Sequence, residues 1–243
     1  MKQNVLHPAV WRAHQLPSVV GTTLSSGFSQ LDAELPGRGW PVGTLIELIP
    51  QHACGTAELT LLQPCLQALT PATLIILLTP PHPPCLQAWY HHGLAQHRLL
   101  WLNSDTAADA YWAALQVLRH HQHAFLCYWP AHPLSYAQLR QLHVLARQTQ
   151  NVLFLMPPAS AGQRPSPAPL RVRYRPQVPA HHPNSWGLAV HLLKGAGLLT
   201  QHELYLPLWQ APPASHTANQ PRVITPTHEP LPVPFAAAPL QKH

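Results

Sequence analysis

Residues 44–62, TLIELIPQHACGTAELTLL, decide how the rest of the chain is read. An apolar run from Thr44 to Ile49 enters a turn containing Gly55 and passes into a segment whose leucines recur at helical spacing. Strand, loop and helix in that order are the setting in which a nucleotide's phosphates meet backbone N–H groups at a helix N-terminus. The side chains that would complete such a loop are missing, because Thr56 and Ala57 stand where a lysine and a hydroxyl residue are required.

The pattern continues in both directions. Upstream, SSGFSQLDAELPGRGWPVG (25–43) predicts a short helix with Phe28, Leu31 and Leu35 on one face. A tight connection through Gly37, Gly39, Pro41 and Gly43 then leads into the first strand. Downstream, Leu59, Leu62, Leu66 and Leu69 form a helical stripe that Pro64 should kink or divide. Four further apolar runs follow: TLIILLT (73–79), RLLWLN (98–103), AFLCYW (124–129) and NVLFLM (151–156). Between them lie helical segments near 84–94 and near 106–121, the second capped by Asp105. A third carries Leu139, Leu142, Leu145 and Ala146, and Ser135 with Gln138 resembles its capping box. Five strands separated by amphipathic helices predict an α/β fold, a mainly parallel sheet with helices on both faces.

Beyond Pro157 the rhythm changes. Residues 158–169 predict a flexible loop. LRVRYR (170–175) and SWGLAVHLLKG (185–195) predict two strands with no helix between them, an antiparallel extension at one sheet edge. A period of two places Arg171, Arg173 and Arg175 on one face, as a row able to grip phosphates or an acidic partner, or as a solvated edge that discourages aggregation. The organisation expected is an N-terminal segment (1–24), one α/β domain (25–206) and a Pro-rich, disordered tail (207–243). Within the tail, PLPVPF (230–235) could dock into a partner's groove or remain uninvolved.

Composition narrows the classes. Only 9% of the 243 residues are charged, far below the roughly 25% of an average soluble domain, and 30 are proline. The net charge of +6 is compatible with a polyanionic partner and equally with a basic drift in composition. No N-terminal apolar run marks export, and the longest apolar stretch is far short of a membrane span of roughly 20 residues, so a cytoplasmic location is expected. Cys54, Cys65, Cys85 and Cys127 are scattered and predict buried thiols rather than a disulfide framework. The paired histidines, such as His91-His92, point in different directions on a helix and predict no metal site. Trp89, Trp101, Trp112 and Trp129 fall at apolar positions and are expected in the core.

A triphosphate site also needs a lysine and carboxylates at strand ends to hold magnesium. No lysine lies between Lys2 and Lys194, the second strand ends in Thr79-Pro80-Pro81-His82, and the fourth ends in Tyr128-Trp129-Pro130. Glu58 is the acid nearest the loop, in the first turn of its helix, where a carboxylate suits the dipole. ATP hydrolysis is therefore not expected, nor any cofactor.

Taken together, GFSQLDAELPGRGWPVGTLIELI, ELTLLQPCLQAL, ILLTPPHPPCLQAW, RLLWLNSDTAADAYWAALQVLRHHQHAFLCYWP and SPAPLRVRY resemble the RecA-like fold in general. Within it they are similar to the ImuA family of accessory proteins in bacterial mutagenic translesion synthesis. The resemblance spans about residues 20–195. It places the RecA-type loop lysine on Thr56, the threonine after it on Ala57, the second-strand catalytic glutamate near Pro81 and the fourth-strand aspartate near Trp129, so each of those roles is lost. It implies a non-catalytic scaffold in the SOS response, with an ImuB-like Y-family protein, an error-prone DNA polymerase III α-type subunit and RecA as partners. DNA would be met directly or through the complex. The shorter SulA inhibitors of FtsZ-dependent division are also similar in the "LL-P-L--L" and "W---GL" phrasing and supply the alternative.

Overall fold

A strand can be apolar at every position only if helices cover both of its faces. IILL, FLCY and VLFL, at Ile75–Leu78, Phe125–Tyr128 and Val152–Leu155, are buried at all four of their positions. The computed structural model describes residues 21–52, 57–94, 96–179, 185–195 and 202–210. In chain order these form β1 (Thr23–Leu24), α1 (Ser29–Glu34), β2 (Trp40–Pro41), β3 (Thr44–Pro50), α2 (Ala57–Ala68), β4 (Ile75–Leu78) and α3 (Leu86–His91). They continue with β5 (Leu99–Leu102), α4 (Ala107–His120), β6 (Phe125–Tyr128), α5 (Tyr136–Thr149), β7 (Val152–Leu155), β8 (Leu170–Gln177), β9 (Ser185–Lys194) and β10 (Leu204–Gln210).

The expected α/β class holds. Eight strands make one sheet in the order β10-β9-β8-β3-β7-β6-β4-β5. The strands from β8 to β5 in that order run parallel, while β9 and β10 add antiparallel. One face carries α1, α2 and α3, with Leu31, Leu61, Leu66 and Trp89 packed against Ile46, Leu77, Phe125 and Phe154. The other carries α4 and α5, with Ala114, Leu118, Leu142 and Ala146 packed against Leu45, Ile76, Leu126 and Leu153. Phe154 anchors the first face: Trp40 meets its ring edge-on and Phe125 stacks on it, both at 5.2 Å between centroids.

Local signals hold in part. Ser135 accepts from the Gln138 N–H at 3.3 Å while the Gln138 carboxamide accepts from the Ser135 N–H at 2.9 Å, the expected capping box. For α4 the cap is Thr106 and not Asp105: Thr106 is the residue in the extended conformation, and its Oγ1 accepts from the Asp109 N–H at 3.1 Å. Pro64 does not divide α2, because Leu61, Leu62, Cys65 and Leu66 bury into the same core on both sides of it. Residues 158–169 hold a short 3-10 helix, Ala159–Gln163, in place of an unstructured loop.

Two boundaries move. Residues 23–24 do not belong to a separate leading segment, since β1 pairs with β2 in a small antiparallel ribbon. β10 runs through Gln210, so residues 207–210 belong to the sheet and not to the tail; residues 1–20 and 211–243 lie outside the described residues. Trp89 is buried as expected, but Trp101 is 46% and Trp112 61% exposed, the first because β5 is the sheet's outermost strand. Among the described residues no helix is long and apolar enough to cross a membrane.

Two consequences can be measured. Gly27 has φ of +83°, and a Cβ there would lie 2.2 Å from the Pro64 Cβ. Gly27→Ala is expected to cost about 2 kcal/mol or more in urea unfolding, and an unchanged midpoint would contradict that packing. The second concerns His143, whose Nδ1 accepts from the Leu45 N–H at 3.3 Å, so the ring must be neutral. Burial first, then the Arg147 and Lys194 charges, hold its pKa below the usual 6.5. Below that pH the unfolded chain takes up the proton first, so this contribution is present above about 6.5 and lost as pH falls. His143→Gln should therefore flatten the decline in unfolding free energy between about pH 7.5 and 5.5; identical slopes for the two proteins would exclude the contribution.

Candidate functional site

In open α/β sheets, ligands sit beyond the carboxyl ends of the parallel strands. Here β3 ends at Pro50, β4 is followed by Thr79-Pro80-Pro81, β6 by Trp129-Pro130 and β7 by Met156-Pro157. Proline cannot donate to a ladder, so pairing stops and the strand ends splay around a cleft of about 590 Å³. The far wall is Ser104 to Ala107, where β5 turns into α4. Thr79, at φ of +49°, ties two of the rims together by donating from Oγ1 to the Trp129 carbonyl at 2.6 Å.

Glu58 closes the floor. It lies in the first turn of α2, only 3% exposed, with Oε1 accepting from the Tyr174 hydroxyl of β8. Its Oε2 is buried and has no hydrogen-bond partner among the described residues. Trp129, on the same lining, holds its Nε1–H buried and likewise without a partner among the described residues. Each such group costs about 1–3 kcal/mol if left unmatched. Asp105 and His82 join Thr79, Ser104 and Thr106 in the polar lining, and among the described residues no lysine or arginine contributes to it. Arg98 serves the opposite end of the sheet, donating to the carbonyls of Leu69 and Thr70. The nearby thiols are not poised as nucleophiles. Burial, with Asp32 adding to it, pushes Cys65 up to about 12, and burial, then Cys65 and Glu58, raises Cys127 well above its ordinary value.

Of the residues singled out from the sequence, Pro81 and Trp129 come together on this cleft, and Ala57 is the buried first residue of α2. Gly55, Thr56 and Cys54 lie outside the described residues. Cys65 and Cys127 are buried as expected, whereas Cys85 is exposed. Among the described residues no three His, Cys, Asp or Glu side chains gather as metal ligands would.

The arginines share one face of β8, as the alternation requires, but not one environment. β8 lies between β3 and β9, so it is not a solvated edge. Arg171 is buried and donates from Nε to Glu47 at 2.5 Å and from Nη2 to the Ala161 carbonyl at 2.9 Å. It is thus not available to grip a partner. Arg175 forms an exposed two-point pair with Glu203, at 2.7 and 3.1 Å. Arg173 is half-buried beside Gly162 and makes no ion pair among the described residues, so it alone retains a free charge. Sequence reasoning missed Glu47, although a glutamate inside an otherwise apolar strand is itself a signal that a buried cation must meet it.

Compared with known proteins, the chain matches no family model, and no curated protein is significantly similar to it.

Removing one member of a buried ion pair typically costs about 3–5 kcal/mol, while an exposed pair is worth about 0–1 kcal/mol. Urea unfolding should place Arg171→Ala in the first range and Arg175→Ala in the second. Equal and small losses would mean that the Glu47–Arg171 pair does not hold β8 in place.

Proposed function

We propose that the chain is a RecA-like scaffold that does not turn over nucleotide. In this reading it works in SOS-induced mutagenic translesion synthesis with an ImuB-like Y-family protein and an error-prone DNA polymerase III α-type subunit. The observation that carries the non-catalytic part is the cleft's charge. Its lining presents Glu58 and Asp105, no lysine or arginine, and Pro81 and Trp129 where the resemblance would put the carboxylates that hold magnesium. A triphosphate seated there would bring several negative charges against two more, with no lysine or arginine among the described lining residues to offset them.

The partners are supplied by the resemblance of the 20–195 segment to the ImuA family, and the mainly parallel sheet supports it. A cytoplasmic location and contact with RecA or with DNA, directly or through the complex, belong to the same proposal. Arg173 is the one arginine of the β8 row that keeps its charge open to such a contact.

The test is affinity purification of the full chain after co-expression with an ImuB-like protein and the α-type polymerase of the same host. Stable co-purification of both, with phosphate release no faster than in a protein-free control, is expected. Retention of neither partner would overturn the proposal, and cell filamentation with capture of FtsZ would put a SulA-like inhibitor in its place.

A further inference from the structure

We infer that the cleft at the strand ends is a receptor for a cationic side chain, an arginine or lysine on its apolar stem, presented by a partner protein. The floor supplies the first reason. Glu58 is 97% covered by its surroundings, with relative exposure of 3%, yet Oε2 has no hydrogen bond among the described residues. A buried carboxylate oxygen left without a donor, on a side chain that lines a concavity, calls for one, and a charged donor answers it best.

The second reason is that the cleft's positive potential is already consumed. Two helix N-termini face it, those of α2 and α4, and either could in principle attract an anion. Each carries its own carboxylate in the first turn, Glu58 in α2 and Asp109 in α4. Thr106 further occupies the Asp109 N–H and donates to the Asp109 carboxylate at 2.7 Å. With Asp105 on the rim, the net field of these groups favours a cation even though the whole chain carries a charge of +6.

The walls supply the third. Pro50, Pro81, Met156 and Pro157 offer apolar surface along the route to Glu58, which suits the methylene stem of a lysine or arginine better than a compact hydrated ion. The Trp129 Nε1–H, buried and without an acceptor among the described residues, would take a backbone carbonyl of the same incoming segment. The inference rests on this geometry and stands whether or not the chain works in translesion synthesis.

The experiment is an NMR titration of the full-length chain, labelled at tryptophan indole nitrogens and assigned at Trp129 with Trp129→Phe. The probes are N-acetyl-arginine methylamide, its lysine and glutamate counterparts, and inorganic triphosphate. The two cationic probes should shift the Trp129 indole resonance saturably, in the millimolar range usual for a single side chain, and the anionic ones should not. Glu58→Gln keeps the side chain's shape and should weaken binding about tenfold. Asp105→Asn, an exposed change that leaves the core untouched, should weaken it about two- to threefold. Silence toward the cationic probes, equal response to the glutamate probe or to triphosphate, or undiminished affinity in both variants would overturn the inference.

Discussion

Glu47 is a carboxylate in the middle of a strand buried on both faces, and only Arg171 makes that position tenable. The two residues stand opposite each other in the parallel β3–β8 register, so the guanidinium reaches across a single ladder. Three residues further along β8, and therefore on the opposite face, Tyr174 donates to Glu58. One strand thus supplies a donor to each of the two carboxylates buried in the core, one on each side of the sheet, and leaves only the Glu58 Oε2 unmatched among the described residues. β9 and β10 are built outward from β8, and α1 packs against β10, so the antiparallel half of the molecule depends on where that strap is held.

The same arrangement separates the charges by location. The cleft's lining gathers Glu58 and Asp105 and, among the described residues, no arginine: Arg98 lies at the opposite end of the sheet, Arg171 is committed to Glu47, and Arg173, level with Ile49 at the carboxyl end of β3, stands outside the lining. Proline explains why a cleft exists at all. It terminates or follows the strands at Pro50, Pro80, Pro130 and Pro157, and each ending leaves a wall without a ladder to continue. On the proposed reading, an apolar concavity with Glu58 in its lining, at the place where α/β folds bind ligands, suits recognition of donors better than stabilisation of phosphate charge.

How much of this was legible in the sequence follows the range of each interaction. Strands covered on both faces read as unbroken apolar runs, so β3, β4, β6 and β7 stood out, and the Ser135–Gln138 box was visible because it closes within three residues. Asp105 was misplaced by one position because the cap belongs to the residue whose backbone is extended, which composition does not reveal. β10 escaped notice because LYLPLWQ contains Pro207, and the register shift that accommodates it depends on β9. The Glu47–Arg171 pair escaped for a different reason: its members are 124 residues apart, and alternation shows which face an arginine takes but not what covers it. Trp101 and Trp112 looked like core because apolar character was visible and strand order was not. The cleft itself is assembled from the ends of five strands, so only its individual residues, and not their meeting, could be read in advance.

The central claim is that the mainly parallel α/β fold here carries, at its strand ends, a site whose charges reject a polyphosphate. Isothermal titration of the full-length chain with magnesium and a non-hydrolysable ATP analogue, at physiological ionic strength, tests it most directly. The account predicts no saturable heat up to about 1 mM analogue. Stoichiometric binding with a Kd in the low micromolar range would contradict it.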